Sequence, residues 1–241
     1  MPPSERVKVL SSIADVPREA WNALVEPGAP PVLRHEWLSA MEQSGSATRA
    51  RGWEPTHFTL WRGEALVAAA PAYRKFHSMG EYVYDFGWAN AAQSFGVEYY
   101  PKLLVGLPLS PLTARRFLAA PGEDAGRTRT TLLAAALDFA KAEGCSSVHV
   151  LFSPDEEAEA LTAAGLFHRS TMQYHWKNPG YRGYDDYLAR FDSKRRNQLK
   201  RERGAAEKQG LVLRTIRSAE LLPAHGALAA LTAPTDQCAH A

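Results

Sequence analysis

Cysteine is almost absent from this 241-residue chain. The two present, Cys145 and Cys238, lie far apart and belong to no CxxC or similar metal-ligand spacing. That argues against a disulfide-stapled scaffold and a cysteine zinc site, and it points to a reducing, cytoplasmic compartment. Long apolar runs are missing too. The longest stretch, around Ala65–Ala72, is too short to span a bilayer, and the N-terminus lacks the apolar region of a signal peptide. Nor is there an excess of charge of one sign. With 28 basic and 26 acidic side chains the formal net charge is +2, so only local clustering could draw a polyanion. No repeat of solenoid period is present.

What is there reads as a globular protein. Hydrophobic residues make up 45% and charged residues 22%, enough apolar material for a sizeable core. The length allows one large domain, or one ordinary domain and a fragment. Val7–Ile13 reads as a strand, followed by a short helix over Arg18–Val25 and a second over His35–Gln43. Thr56–Trp61 and Ala65–Lys75 form a hairpin around Arg62-Gly63-Glu64. Glu81–Phe86, Lys102–Leu107 and Ser147–Phe152 read as strands. Arg127–Ala142 is the clearest helix, with Leu132, Leu133, Ala136, Phe139 and Ala140 at helical spacing and Gly144 beyond its end. A helix over Asp155–Ala164 and a long strand over Phe167–Lys177 complete an α/β layer. After Asn178-Pro179-Gly180 the character changes: a short helix over Asp185–Phe191, a charged helix over residues 193–209, a strand over Leu211–Ile216 and a helix over Glu220–Leu231. The expected division is a domain over residues 1–180 and the start of a second over 181–241.

Six segments in order carry a family resemblance: Leu33-Arg-His-Glu-Trp-Leu38, Tyr82-Val-Tyr-Asp-Phe-Gly-Trp-Ala89, Tyr99-Tyr-Pro-Lys-Leu-Leu104, Ser146-Ser-Val-His-Val150, Gln173-Tyr-His-Trp-Lys-Asn178, and Ser193-Lys-Arg-Arg-Asn197 with Lys200-Arg-Glu-Arg203. Over about Pro31–Arg203 the chain resembles the FemAB-like predicted N-acyltransferases of the GNAT superfamily, relatives of the peptidoglycan-bridge aminoacyltransferases. The resemblance implies an α/β fold with a GNAT-like mixed sheet flanked by helices, and a second GNAT-like domain that is incomplete here, as in a truncated gene. It implies acyl transfer from acyl-CoA or a charged tRNA, the aminoacyl-tRNA donor, to a small-molecule or peptide amine acceptor, with no metal.

Such chemistry needs a helix N-terminus for a pyrophosphate, a base for the amine proton and a donor for the oxyanion. Gly122, Gly126, Arg127 and Thr128, at the start of the clearest helix, are the candidate donor loop. The R-x-x-G-x-G/A pattern is absent, however, and Glu123 and Asp124 would repel a pyrophosphate, so an ordinary surface turn fits as well. Alternation places Gln173 and His175 on one face of the strand expected at Phe167–Lys177. If that strand neighbours Ser147–Phe152, His149 joins them in a common cleft suited to proton transfer. Tyr100, with Tyr99 and Glu98, precedes a strand, where a tyrosine could protonate a leaving group. Asp85, Trp88 and Asn90 occupy a loop where substrate contacts occur. Arg196, Lys200 and Arg203 form a cationic stripe at i, i+4, i+7, a candidate anion site for tRNA phosphates, a lipid head group or a nucleotide-linked precursor. Without a donor loop, a non-catalytic binding module or an inactive fragment is the alternative to an enzyme.

Overall fold

A computed structural model describes residues 4–83, 85–212 and 214–217. The chain divides into two compact units, residues 1–170 and 171–241. The helix expected at Glu220–Leu231 lies outside the described residues.

The first unit contains β1 (Glu5–Leu10), α1 (Arg18–Asn22), α2 (His35–Gln43), β2 (Trp53–Pro55), β3 (His57–Arg62), β4 (Ala65–Ala70) and β5 (Ala72–Lys75). These are followed by α3 (Phe86–Ser94), β6 (Lys102–Val105), β7 (Leu118–Ala119), α4 (Ala125–Ala142), β8 (Val148–Val150) and α5 (Asp155–Ala163). The fold is mixed α/β. One sheet runs β1-β3-β4-β7 and is antiparallel throughout; the other runs β2-β5-β6-β8, and its β6–β8 pair is parallel. The two expected strands at Lys102–Leu107 and Ser147–Phe152 therefore lie side by side in one sheet. The hairpin at Arg62–Ala65 forms too, but each arm is shared between sheets. Pro71, which cannot donate to a ladder, divides β4 from β5, and Thr56 divides β2 from β3.

The first sheet is covered on both faces. Phe58, Leu60, Val67, Ala68 and Ala70 share a core with Leu132, Leu133, Ala136 and Ala140 of α4. Trp61, Leu66, Ala69 and Leu118 pack with Trp21, Leu24, Leu33 and Leu38 near α1 and α2. The register shifts between Leu60, which pairs with Ala68, and Trp61, which pairs with Leu66; Val67 is thus an extra residue in β4, and Val67 and Ala68 both join the α4 core. Helix α4 begins earlier than expected, because Asp124 caps it by accepting the Arg127 N–H at 3.0 Å. The 12 residues between β6 and β7 are pinned by buried Arg116. Its Nε and Nη2 donate to the Leu151 and Leu112 carbonyls, both at 2.7 Å. The Glu157 carboxylate of α5 accepts the Arg116 and Phe117 N–H groups at 2.9 and 3.1 Å.

Three sequence expectations are corrected. Glu81–Phe86 is not a strand but a loop leading into α3; Glu81 and Asp85 both reach one ammonium, whereas residues four apart in a strand would be separated by about 13 Å. Phe167–Lys177 is irregular, with Phe167, Met172, Tyr174 and Trp176 all well exposed. Its alternation is real, but neither face finds a core, and β8 remains the edge strand of its sheet. The described part of Leu211–Ile216 is likewise not a strand.

The second unit contains α6 (Tyr184–Ala189), α7 (Ser193–Arg203) and α8 (Ala205–Lys208). Asp192 caps α7 through the Arg195 N–H at 2.8 Å. Tyr181, Tyr184, Tyr187 and Phe191 pack ring to ring beside it.

Candidate active site

Period-2 alternation gives the second sheet two unlike faces. Leu103 and Val105 of β6, with Val148 and Val150 of β8, join the α4 core. The opposite phase brings Trp53, Tyr73, Lys75, Lys102, Leu104 and His149 to the other face, since Trp53 pairs with Lys75, Lys75 with Lys102, Tyr73 with Leu104, and Leu104 with His149. Two lysines thus stand directly opposite each other on adjacent strands, and both are fully buried. Like charges so placed repel, and burial costs each its hydration, so the fold must supply counter-charge.

The loop before α3 supplies it. The Lys102 ammonium donates to Ser78 Oγ at 2.8 Å, Glu81 Oε2 at 2.9 Å and Asp85 Oδ2 at 2.6 Å, which uses its three protons. Glu81 and Asp85 are themselves 2% and 1% exposed, so these are desolvated, charge-assisted bonds. Lys75 lies 4.0 Å from Glu81 and sits over the Trp53 ring at 3.5 Å, a cation–π arrangement. Gly80 lets the loop cross here, because a Cβ at its φ of 78° would overlap the Leu109 side chain.

Two tyrosines cover this interior at the surface. Tyr99 donates to Asp85 Oδ2 at 2.9 Å, and Tyr100 Oη lies 2.8 Å from Ser78 Oγ. Both are partly exposed, so a hydrogen-bonded chain runs from the phenol of Tyr100 through Ser78 to Lys102 and the buried carboxylates. His149 stands edge-on to Tyr99, and its Nε2 lies 2.9 Å from Ser147 Oγ.

Protonation follows from this setting. Burial lowers Lys75 to about 7, against the pull of Glu81, so its amine is substantially neutral near neutral pH. Burial raises Glu81 despite Lys102. Burial also pushes Asp85 up, but the bond from Lys102 and its charge, with Tyr99, outweigh this and hold it below the usual range. Burial raises Tyr99, and the Asp85 carboxylate raises it further. Burial and the Lys102 charge lower His149 to about 4. Its imidazole is therefore neutral at pH 7 and a weak base.

The remaining expected site residues belong to the second unit or to the start of α4. His175 and Gln173 bond to each other at 3.2 Å on the exposed irregular segment of the second unit, while His149 and Tyr100 belong to the first. At the expected donor loop the α4 N-terminus is filled by Asp124. Arg127 is held by Glu5 at 2.7 Å and by Glu123 at 3.4 Å, and Thr128 is buried and bonds back to the Asp124 carbonyl. Gly122, at a φ of 87°, and Gly126 flank that cap. On α7, Arg203 lies over the Tyr184 ring at 4.1 Å. Arg196 and Lys200 pair with no carboxylate among the described residues, which leaves this helix strongly cationic. No group of His, Cys, Asp or Glu among the described residues gathers to hold a metal.

The buried lysines were missed by sequence reasoning. The available signal was a lysine at the end of one apolar strand and another at the start of the next, with an acidic pair at i, i+4 between them.

Comparison with known proteins places the chain. An aminoglycoside N-acetyltransferase solved in complex with CoA is 14% identical, with 73% of this chain and 97% of that one covered at a TM-score of 0.46. An aminoglycoside antibiotic 6'-N-acetyltransferase from Acinetobacter baumannii is 15% identical, with 73% and 100% covered at 0.42. A glucosamine-6-phosphate N-acetyltransferase from Arabidopsis thaliana is 10% identical, with 73% and 99% covered at 0.41. No curated protein matches the sequence. The model of one family, described as acting in peptidoglycan biosynthesis and recognition, matches residues 12–232, and the chain belongs to that FemAB-like family.

Proposed function

We propose that the protein is an N-acyltransferase that moves an activated acyl group onto an amine acceptor, with Tyr100 as the acid that protonates the leaving group. The observation that carries this reading is the Tyr100–Ser78–Lys102 chain, in a member of a family assigned to peptidoglycan biosynthesis. In the transfer the C–N bond forms and the bond from the acyl carbon to the leaving oxygen or sulfur breaks. That atom takes the phenol proton; Ser78 passes its own proton to Tyr100, and Lys102 replaces that of Ser78. The proton lost by the amine goes to water. His149 is a poorer candidate for the base than the sequence alone implies, because a general base works best with a pKa near the working pH. A neutral imidazole there can orient Tyr99 and the acceptor.

Donor recognition by a pyrophosphate at α4 is disfavoured by the Asp124 cap. The cationic helix α7 offers phosphate contacts through Arg196, Lys200 and Arg203, so an aminoacyl-tRNA donor stands beside acyl-CoA. This helix also favours a second reading, a module that binds an anionic ligand without turnover.

The test is amide formation from labelled acetyl-CoA or alanyl-tRNA in the presence of a panel of amines, including a lysine-containing muropeptide. Tyr100→Phe should lower kcat on the order of 10²-fold with little change in KM. Turnover that is unaffected by this change sinks the acid role. Absence of turnover with salt-dependent tRNA binding, lost in Arg196→Glu with Lys200→Glu, supports the binding module instead.

A further inference from the structure

A cleft of about 560 Å³ opens in the first unit between the α1 region and β7, away from the buried lysines. The size is that of a small-molecule site. Its walls come from two parts of the chain: Leu24, Ala29 and Leu33 on one side, and Ala114, Leu118 and Ala120 on the other. The other lining side chains are alanine, valine and proline, save for three charged groups, Glu26, Arg115 and Glu123. No aromatic ring lines it, so a nucleobase or sugar has nothing to stack on.

The three charges are already matched. Arg115 lies 3.5 Å from Glu26 and 3.2 Å from Glu156. Glu123 lies 2.7 Å from Arg62 and also pairs with Arg127. Each acid on the cleft has a cation, and the arginine has two acids, so a charged ligand would have to break a pair to be recognised. The α4 N-terminus, close by at Ala125, is filled by Asp124. What remains available is dispersion and the removal of aliphatic surface from water, a recognition blind to hydrogen bonding and selective for shape.

We propose that this cleft binds an uncharged aliphatic acyl chain of medium length. An acetyl group would leave most of the cleft wet. An aminoacyl group would bring an ammonium to carboxylates that are already paired. A straight chain fills a ring-free aliphatic cleft of this volume with little polar loss, and each methylene buried adds to affinity.

The proposal concerns binding alone and stands whether or not the chain catalyses acyl transfer. Its test is calorimetric titration of the full chain with the N-acetylcysteamine thioesters of acetate, octanoate and benzoate, all uncharged. Octanoyl should bind at least 10-fold more tightly than acetyl or benzoyl, with a negative heat-capacity change. Ala120→Phe and Ala29→Phe, each at a partly exposed position of the lining, should remove the octanoyl preference and leave the far-ultraviolet circular dichroism unchanged. Should one fail to fold, the other decides. Equal binding of the three thioesters, no binding of octanoyl, or an octanoyl preference that survives the filling variant overturns the proposal.

Discussion

Replacing Lys102 with methionine is the sharpest test of the interior network. Methionine matches the aliphatic stem and removes only the ammonium, and with it three donors at 2.6–2.9 Å. Glu81 and Asp85 are then buried with no ammonium in hydrogen-bond contact, since Lys75 is 4.0 Å from Glu81 and about half neutral at pH 7. Stranding one side of a buried ion pair costs about 3–5 kcal/mol. For a unit of this size that lowers Tm on the order of 10 °C. The loss should depend on pH with a definite sign. Without Lys102 the carboxyls of the folded variant rise above their unfolded values, so the folded form holds more protons than the unfolded form from about pH 4 to 7. Its stability is then greatest in acid and falls as pH rises. Urea denaturation of both proteins at pH 5 and pH 8 reads this directly: the gap should be wider at pH 8. Adding Asp85→Asn should restore at least about 1 kcal/mol, because an amide can still accept from Tyr99 and carries no charge. A gap below about 1 kcal/mol, or one that widens in acid, refutes the reasoning.

Lys75→Met should change stability by less than about 1 kcal/mol at pH 7, because its amine is already half neutral and its closest ionic contact is 4.0 Å away. The wild type should gain stability from about pH 7 to 10, where an unfolded lysine binds a proton that folded Lys75 has lost, and denaturation midpoints of the variant should lack that component. Glu157→Ala should cost about 2–3 kcal/mol at pH 7, since the Arg116 and Phe117 amides lose a buried acceptor; equilibrium unfolding measures it. Asp124→Ala should cost about 1 kcal/mol as a lost helix cap, seen in the same experiment.

The parts of the fold legible in the sequence were those set by local pattern. The helix at Ala125–Ala142 shows its stripe of Leu132, Leu133, Ala136 and Ala140, and all four are buried. The hairpin at Arg62–Ala65 shows its turn. Pattern misled where tertiary partners decide. Phe167–Lys177 alternates like a strand, but alternation states only which residues would share a face and not whether a neighbour exists to pair. Glu81–Phe86 looked β-prone through Tyr82, Val83 and Phe86; Asp85 was legible as a loop residue suited to substrate contacts, but its pairing with Glu81 at i, i+4 was not. Their spacing serves Lys102, a residue 17 or more positions away, and no local rule contains that requirement.

The site itself was half legible for the same reason. Tyr100 and His149 were named from their chemistry, and both stand at the margin of the buried charges. The charges behind them were read past because Lys75 and Lys102 sit at strand ends, where a lysine ordinarily marks the passage to solvent. Here the sheet does the opposite. Its α4 face takes the aliphatic residues of β6 and β8; on the other face Met41 of α2 packs near Trp53, Tyr73 and Leu104, but the lysines are closed over by a loop and two tyrosines, and α3 buries none of its residues. A protein that needed only a packed sheet would place leucine at 75 and 102, since apolar replacement of a buried ion pair is commonly neutral or stabilising. Retaining two ammonium groups and two carboxylates in the interior, connected to the surface through Ser78 and Tyr100, makes sense as a cost of proton handling. The comparison that decides between these is a variant with Lys75, Lys102, Glu81 and Asp85 replaced together by leucine or methionine. If it folds more stably and retains amide-forming activity, the network is merely tolerated; if it folds more stably and loses activity, the interior charges are there for the reaction.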